Sequence, residues 1–300
     1  MLKEFAVEPA VLGDWHEYRC LYDKFGAPRA RMIAEFPKKW LRMVYDATAH
    51  FTDSQRKEIE LWLTEAKKYF LIPNNYPYRS YDIPTDWLKS AEAAHMQKQF
   101  HAIIATDNPR NHPQIIISGG LYERDSRFQC QYECFMPKNS TGFREISQNL
   151  LQWSTKIIFV DPYFTTFDKW MDPLKVMLCC IPQKIEKLCY CTRLEPKDTL
   201  VARRQELESR LSSVIPLGQT LEVVILEKND SMDTHNRFLL TELGGIKFPW
   251  GFDEATDSPK DTVNLMDFKT HQGKFDEYSA PELFGHSVAL RFIVPGNAKQ

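Results

Sequence analysis

A chain of 300 residues with 43% hydrophobic and 13% aromatic residues can fill one large core or two ordinary ones, which excludes an intrinsically disordered protein. The formal net charge of −2 excludes the global basic field of a nucleic-acid coating protein, but not an enzyme that grips phosphates with a few local cations. No run approaches the roughly 20 apolar residues of a membrane-spanning helix, and residues 1–5 lack the apolar core of a secretory signal, so no membrane span and a cytoplasmic location are expected.

Residues 7–71 read as mostly helical. Met32, Ile33, Phe36 and Trp40 recur at helical spacing, with Pro37 kinking or restarting that helix. Ile59, Trp62, Leu63, Ala66 and Phe70 define a second helix, with Thr52 or Asp53 as its N-cap. Pro73, Asn74, Asn75 and Pro77 interrupt the pattern, and a further helix is predicted near residues 86–98. Short β-branched runs at 101–106 and 114–118, and the apolar–polar alternation at 127–135, predict a small antiparallel sheet. Residues 137–142 read as a linker. The expected division is therefore residues 1–140, a helical and small-sheet domain without a chemical signature, and residues 141–300.

The second half alternates regularly. Residues 156–160 form an apolar run ending in Asp161-Pro162, so a buried strand that stops abruptly. Phe167, Trp170, Leu174, Met177 and Leu178 then follow helical spacing. Residues 187–192 give a second strand, Pro196 opens a helix carrying Leu200, Leu207, Leu211 and Val214, and residues 221–226 give a third strand. This succession predicts parallel pairing with helical crossovers. Residues 237–243 and 246–248 read as a hairpin around Gly244-Gly245, and 287–294 as a closing strand.

Seven cysteines with adjacent or near-adjacent spacing (Cys179-Cys180, Cys189 and Cys191, Cys130 and Cys134) fit neither a disulfide framework nor a zinc site, so structural thiols and no metal are expected. Ligands of open α/β sheets collect beyond the carboxyl ends of the strands. Those ends carry Asp161, Thr192-Arg193 and the segment from Asp233 to Arg237.

Within that last segment, His235 and Arg237 stand two residues apart, so both side chains of an extended strand share a face and can meet one phosphate. The imidazole offers a nucleophile or acid, and the guanidinium a bidentate clamp. Glu242, seven residues beyond the histidine, is a carboxylate able to fix the imidazole tautomer. Asn236 and Arg193 complete the expected phosphate-binding set. Asp161 reads as a turn residue before Pro162, and His271 and His286 as packing or surface histidines. The basic stretch Arg29, Arg31, Lys38, Lys39 and Arg42 reads as a solvated face.

The pattern His235-x-Arg237-x4-Glu242 followed by Gly244-Gly245 resembles the His-x-Lys-x4-Asp motif of the phospholipase D superfamily. With Asp161-Pro162-Tyr163 closing the first strand, it is most similar to the phospholipase-D-like C-terminal domain of microtubule-interacting-and-trafficking proteins and its bacterial relatives. The resemblance covers residues 154–294 and leaves 1–140 aside. It implies an α/β fold, a phospholipase-D-like mixed sheet flanked by helices, and a metal-independent phosphodiesterase without cofactor. In that reading His235 is the nucleophile or general acid, Arg237 the phosphate clamp and Glu242 the orienting acid. The single motif copy implies a homodimer that shares His235 across a two-fold axis. The substrate class so implied is nucleic acid or another phosphodiester, with the N-terminal part selecting substrate or a protein partner; in a bacterial setting this suits an antiviral effector, by analogy. The alternative is a non-catalytic module that holds a phosphorylated ligand, a lipid headgroup or a protein partner.

Overall fold

The computed structural model describes residues 1–72, 86–120, 122–182, 184–194, 199–227, 236–255 and 260–298. The predicted break at residues 73–77, Pro196 and His235 lie outside them. The chain is an α/β protein that divides into two compact units, Leu2–Tyr132 and Glu133–Gln300.

In the first unit the strands β1 (Lys3–Val7), β2 (Arg31–Ala34), β3 (Leu71–Ile72), β4 (Ala102–Ala105) and β5 (Ile115–Ile117) form one sheet in the order 3-2-1-4-5. All its pairings are parallel. This corrects the expected antiparallel sheet. The physical reason lies in two-sided burial: Phe5 and Val7 enter one apolar cluster while Ala6 enters another, and Ala102 and Ile104 part from Ile103 and Ala105 in the same way. A strand covered on both faces loses the alternation that marks an exposed sheet and becomes a short apolar run.

The helices of this unit are α1 (Pro9–Leu12), α2 (Trp15–Leu21), α3 (Trp40–Ala47), α4 (Asp53–Tyr69) and α5 (Trp87–Gln97). Thr52 caps α4 in a reciprocal capping box with Gln55, and Asp86 caps α5 through the Lys89 amide. The expected helix from Met32 to Trp40 is not one element: Met32 and Ile33 lie on β2, and Trp40 begins α3. Apolar residues at helical spacing are equally compatible with a buried strand followed by a turn at Pro37. The run at 127–135 is corrected as well. Its last residues belong to the next strand, in the other unit, so the division falls at Tyr132 and not at 140.

The second unit carries β6 (Glu133–Pro137), α6 (Ser140–Trp153), β7 (Lys156–Val160), α7 (Asp168–Leu178), β8 (Lys187–Arg193), α8 (Leu200–Ser212), β9 (Thr220–Leu226), β10 (Arg237–Thr241), β11 (Gly245–Phe248), β12 (Lys260–Leu265), α9 (Phe268–Ser279) and β13 (Val288–Pro295). The expected linker is thus the end of β6 and the first turn of α6. The described strands form a mixed sheet in the order 13-9-8-7-10-11-12-6. β7, β8 and β9 run parallel, and β10 lies antiparallel beside β7, with Phe238 opposite Val160. One face buries Ile158, Val160, Cys189, Cys191, Val224, Phe238 and Leu240 with Tyr278 of α9. No helix among the described residues is long and apolar enough to cross a membrane.

Candidate functional site

The topology decides which residues meet. β7 and β8 are parallel, so Asp161, the first residue after β7, and Arg193, the last of β8, stand at the same carboxyl edge. β10 enters antiparallel to β7, which brings its first residue, Arg237, to that edge too. Of the residues expected to converge there, Asp161, Arg193 and Arg237 do so.

Asp161 is fully buried. Its amide donates to Cys191 O at 3.0 Å, continuing the ladder past the strand end. Its Oδ1 accepts from the Tyr163 amide at 2.9 Å, closing the turn through Pro162. The same Oδ1 lies 3.6 Å from Nε of Arg237, whose Nη1 donates to Pro249 O at 3.1 Å. Asp161 is therefore both the turn residue read from the sequence and the counter-ion of Arg237. Burial pushes its carboxyl up to about 6, against the pull of the Tyr163 amide and of Arg237 and with a further push from Asp253.

Tyr163 links the two arginines. The guanidinium carbon of Arg193 lies 4.9 Å from its ring centre, and that of Arg237 4.8 Å. The aromatic ring orients both guanidiniums, and a planar guanidinium fork matches the oxygens of a phosphoryl group.

Four further residues, missed in the sequence, complete the surroundings. The buried Lys138 donates through Nζ to Trp250 O at 2.8 Å and lies 3.3 Å from Asp253 Oδ1. Asp253 also reaches Lys169, at 3.8 Å. Gly251, at φ +93, adopts a backbone that other residues rarely enter. A Cβ built there would meet Asp253 Oδ1 at 3.0 Å and Arg237 Nε at 3.4 Å, so the glycine lets the turn close on the arginine. Asp261 on β12 is buried, with the backbone amides of Trp250 and Thr262 turned towards its carboxylate. Burial raises its pKa, with Lys138 and Arg237 pulling the other way. A lysine near the start of an expected linker and a lone aspartate on an alternating strand carry no local signal of such a role.

The other predicted residues part from this cluster. Asn236 and Phe238 line a cleft of about 290 Å³ with Lys247, Asn264, Met266 and Lys274. Neighbouring residues of an extended chain point to opposite faces, which separates Asn236 from Arg237. Glu242 follows the far end of β10. It accepts from the Thr155 amide at 2.6 Å, Thr155 Oγ1 at 3.0 Å and the Lys156 amide at 3.0 Å, tying down the start of β7. The structure therefore does not bring Glu242 to Arg237. His271 is buried with Nε2 2.8 Å from Thr241 O, and His286 pairs with Glu277. All seven cysteines are free, and Sγ of Cys189 and Cys191 lie 3.7 Å apart in the core. No group of His, Cys, Asp and Glu suited to a metal ion occurs among the described residues.

No family model matches the chain, and no curated protein matches it. Among solved structures it is similar to TrmBL2, an archaeal chromatin protein described with a mode of DNA binding, at 13% identity and a TM-score of 0.29. The match covers 53% of this chain and 55% of that one, so the chain spans about half the length of that protein. A likeness this slight carries no argument about fold or function.

Proposed function

We propose that residues 133–300 form a phosphoryl-binding unit of the phospholipase D type, which cleaves phosphodiester bonds without a metal as a homodimer. The observation that carries this reading is the approach of Arg193 and Arg237, from two different strands, to the ring of Tyr163 at one sheet edge. Two guanidiniums held at a carboxyl edge suit the negative oxygens of a phosphodiester. His235, two residues before Arg237, supplies the nucleophile in this proposal. Its imidazole attacks phosphorus, and the equivalent histidine of the second copy protonates the leaving oxygen. Glu242 has no part in the chemistry, since its carboxylate is engaged with the start of β7. Free thiols throughout fit a cytoplasmic setting.

The test is cleavage of bis(p-nitrophenyl) phosphate and of oligonucleotides by the full-length protein. Cleavage that persists in EDTA and vanishes in His235→Ala, with the melting temperature unchanged, supports the reading. A second reading, a phosphate-holding module without catalysis, draws on the contact between Arg237 and the buried Asp161: a guanidinium already facing a carboxylate is a weaker clamp. Binding of phosphate by wild-type protein without turnover of any phosphodiester would decide for it.

A further inference from the structure

Large aromatic rings that the core does not use stand around this edge. Trp250 is 71% exposed and Phe167 69%. Both are fastened to the arginine cluster through the backbone. Pro249 O accepts from Arg237, and Trp250 O from Lys138, so the turn carrying the Trp250 ring is pinned at two consecutive carbonyls. The Glu254 amide donates to Lys169 O at 2.7 Å, tying the segment after Trp250 to the first turn of α7. That turn presents Phe167, Lys169 and Trp170. The Lys169 ammonium lies 4.1 Å from the Trp170 ring, and the rings of Phe167 and Trp170 are 6.5 Å apart.

Single exposed apolar residues are ordinary on a protein surface. Here one short segment joins the Trp250 ring to Arg237 and Lys138, and joins the turn bearing Phe167 and Lys169 to the same edge, where Tyr163 holds Arg237 and Arg193. Alternation of aromatic faces with cations is how proteins hold nucleic-acid strands whose bases are not paired: the cations take the phosphates and the rings take the bases. A duplex would find no use for the rings, because its base faces are already stacked. It would also need an extended basic face, whereas Asp168 is exposed on the same turn of α7 and the chain's net charge is −2. A protein partner would favour a continuous apolar patch, and Asp168 and Lys169 interrupt this one.

We infer that the substrate of the site is unpaired nucleic acid, its bases stacking on Trp250 and Phe167 while a backbone phosphate lies at Arg193 and Arg237. This rests on the reading of that edge as a phosphoryl site. Stacking accepts every base, so the inferred binding is tolerant of sequence.

The experiment measures fluorescence anisotropy of a labelled oligothymidylate of about 12 nucleotides, and of a duplex of equal length, on the full-length His235→Ala protein. Inorganic phosphate is titrated in parallel as a competitor. The expected result is tighter binding of the single strand than of the duplex. Trp250→Ala and Phe167→Ala, made in that background, should each weaken the single strand by about tenfold and leave phosphate binding unchanged. Both rings are largely in water, so these variants fold, and circular dichroism checks that they do. Phosphate binding with no preference for the single strand, or with no effect of either substitution, overturns the inference and leaves the phosphoryl site standing. Loss of self-association in the two variants, in place of strand binding, overturns it in favour of a second copy of this chain. Failure of both phosphate and oligonucleotide to bind overturns the phosphoryl site itself.

Discussion

Arg237 holds its Nε 3.6 Å from Oδ1 of Asp161, a side chain only 1% exposed, so the charge state of the aspartate sets the field that the arginine presents outward. Burial lifts the Asp161 carboxyl from its ordinary 3.8 to about 6. Between those two pH values the folded protein holds a proton that the unfolded chain has released. The contribution of this group to stability is therefore greatest below about pH 4 and declines as the pH rises to about 6, by about 3 kcal/mol. Asp161→Asn removes the decline. Urea unfolding of both proteins from pH 4 to pH 7 should show the variant gaining on the wild type across this window, and a pH-independent difference would refute the assignment.

The same carboxylate opposes an incoming anion. In the His235→Ala background, which removes the imidazole's own titration, affinity for dimethyl phosphate should rise severalfold as the pH falls from 7 to 5. Asp161 is then neutral and Arg237 has lost its counter-ion. Adding Asp161→Asn should give the tighter value at pH 7 already. Calorimetric titration at the two pH values reads this directly.

Substitutions of the arginines separate charge from fork geometry. Arg193→Ala removes one of the two guanidiniums at Tyr163 and should weaken phosphodiester binding by about tenfold, the worth of one charge-assisted contact. Arg237→Lys keeps the charge, but a single ammonium cannot serve Pro249 O and a ligand as a planar fork does. Its affinity should fall between wild type and Arg237→Ala in the same titration.

Gly251→Ala tests the turn. The methyl group would press on Asp253 and on the Arg237 guanidinium, at a positive φ that costs a residue with a side chain about 1–2 kcal/mol. Thermal unfolding should register that loss, and phosphate affinity should fall with it because Arg237 is displaced.

Glu242→Ala separates a positioning carboxylate from a catalytic one. Removing it leaves the Thr155 and Lys156 amides without their acceptor, at an expected cost of about 1–3 kcal/mol in urea unfolding. Phosphate affinity should stay at the wild-type value, because the carboxylate lies at the opposite end of β10 from Arg237.

Much of the second unit is legible residue by residue. The apolar runs at Ile157 to Val160 and Leu221 to Leu226, and the spacing of Phe167, Leu174 and Met177, name strands and helices because burial of one stripe or one run is a local demand. That Asp161, Arg193 and Arg237 gather at one edge was legible from the expected parallel topology, but which of them face one another was not. Lys138, Asp253 and Asp261 were not. Each is an ordinary polar residue in its own stretch, and the pairing of β12 with β6 and the closing turn at Gly251 bring them to the site.

The sequence by itself determined which segments are strands and helices in residues 156–226, that α4 is capped at Thr52 or Asp53, and that Arg237 opens a strand. Only the tertiary structure decided that the first unit's sheet is parallel, that β10 lies against β7, and that Arg237 therefore faces a buried Asp161 while Glu242 and Asn236 face elsewhere. Periodicity and capping are properties of neighbouring residues. Strand partners are chosen by burial over the whole unit, and one antiparallel pairing suffices to settle which end of β10 carries the site.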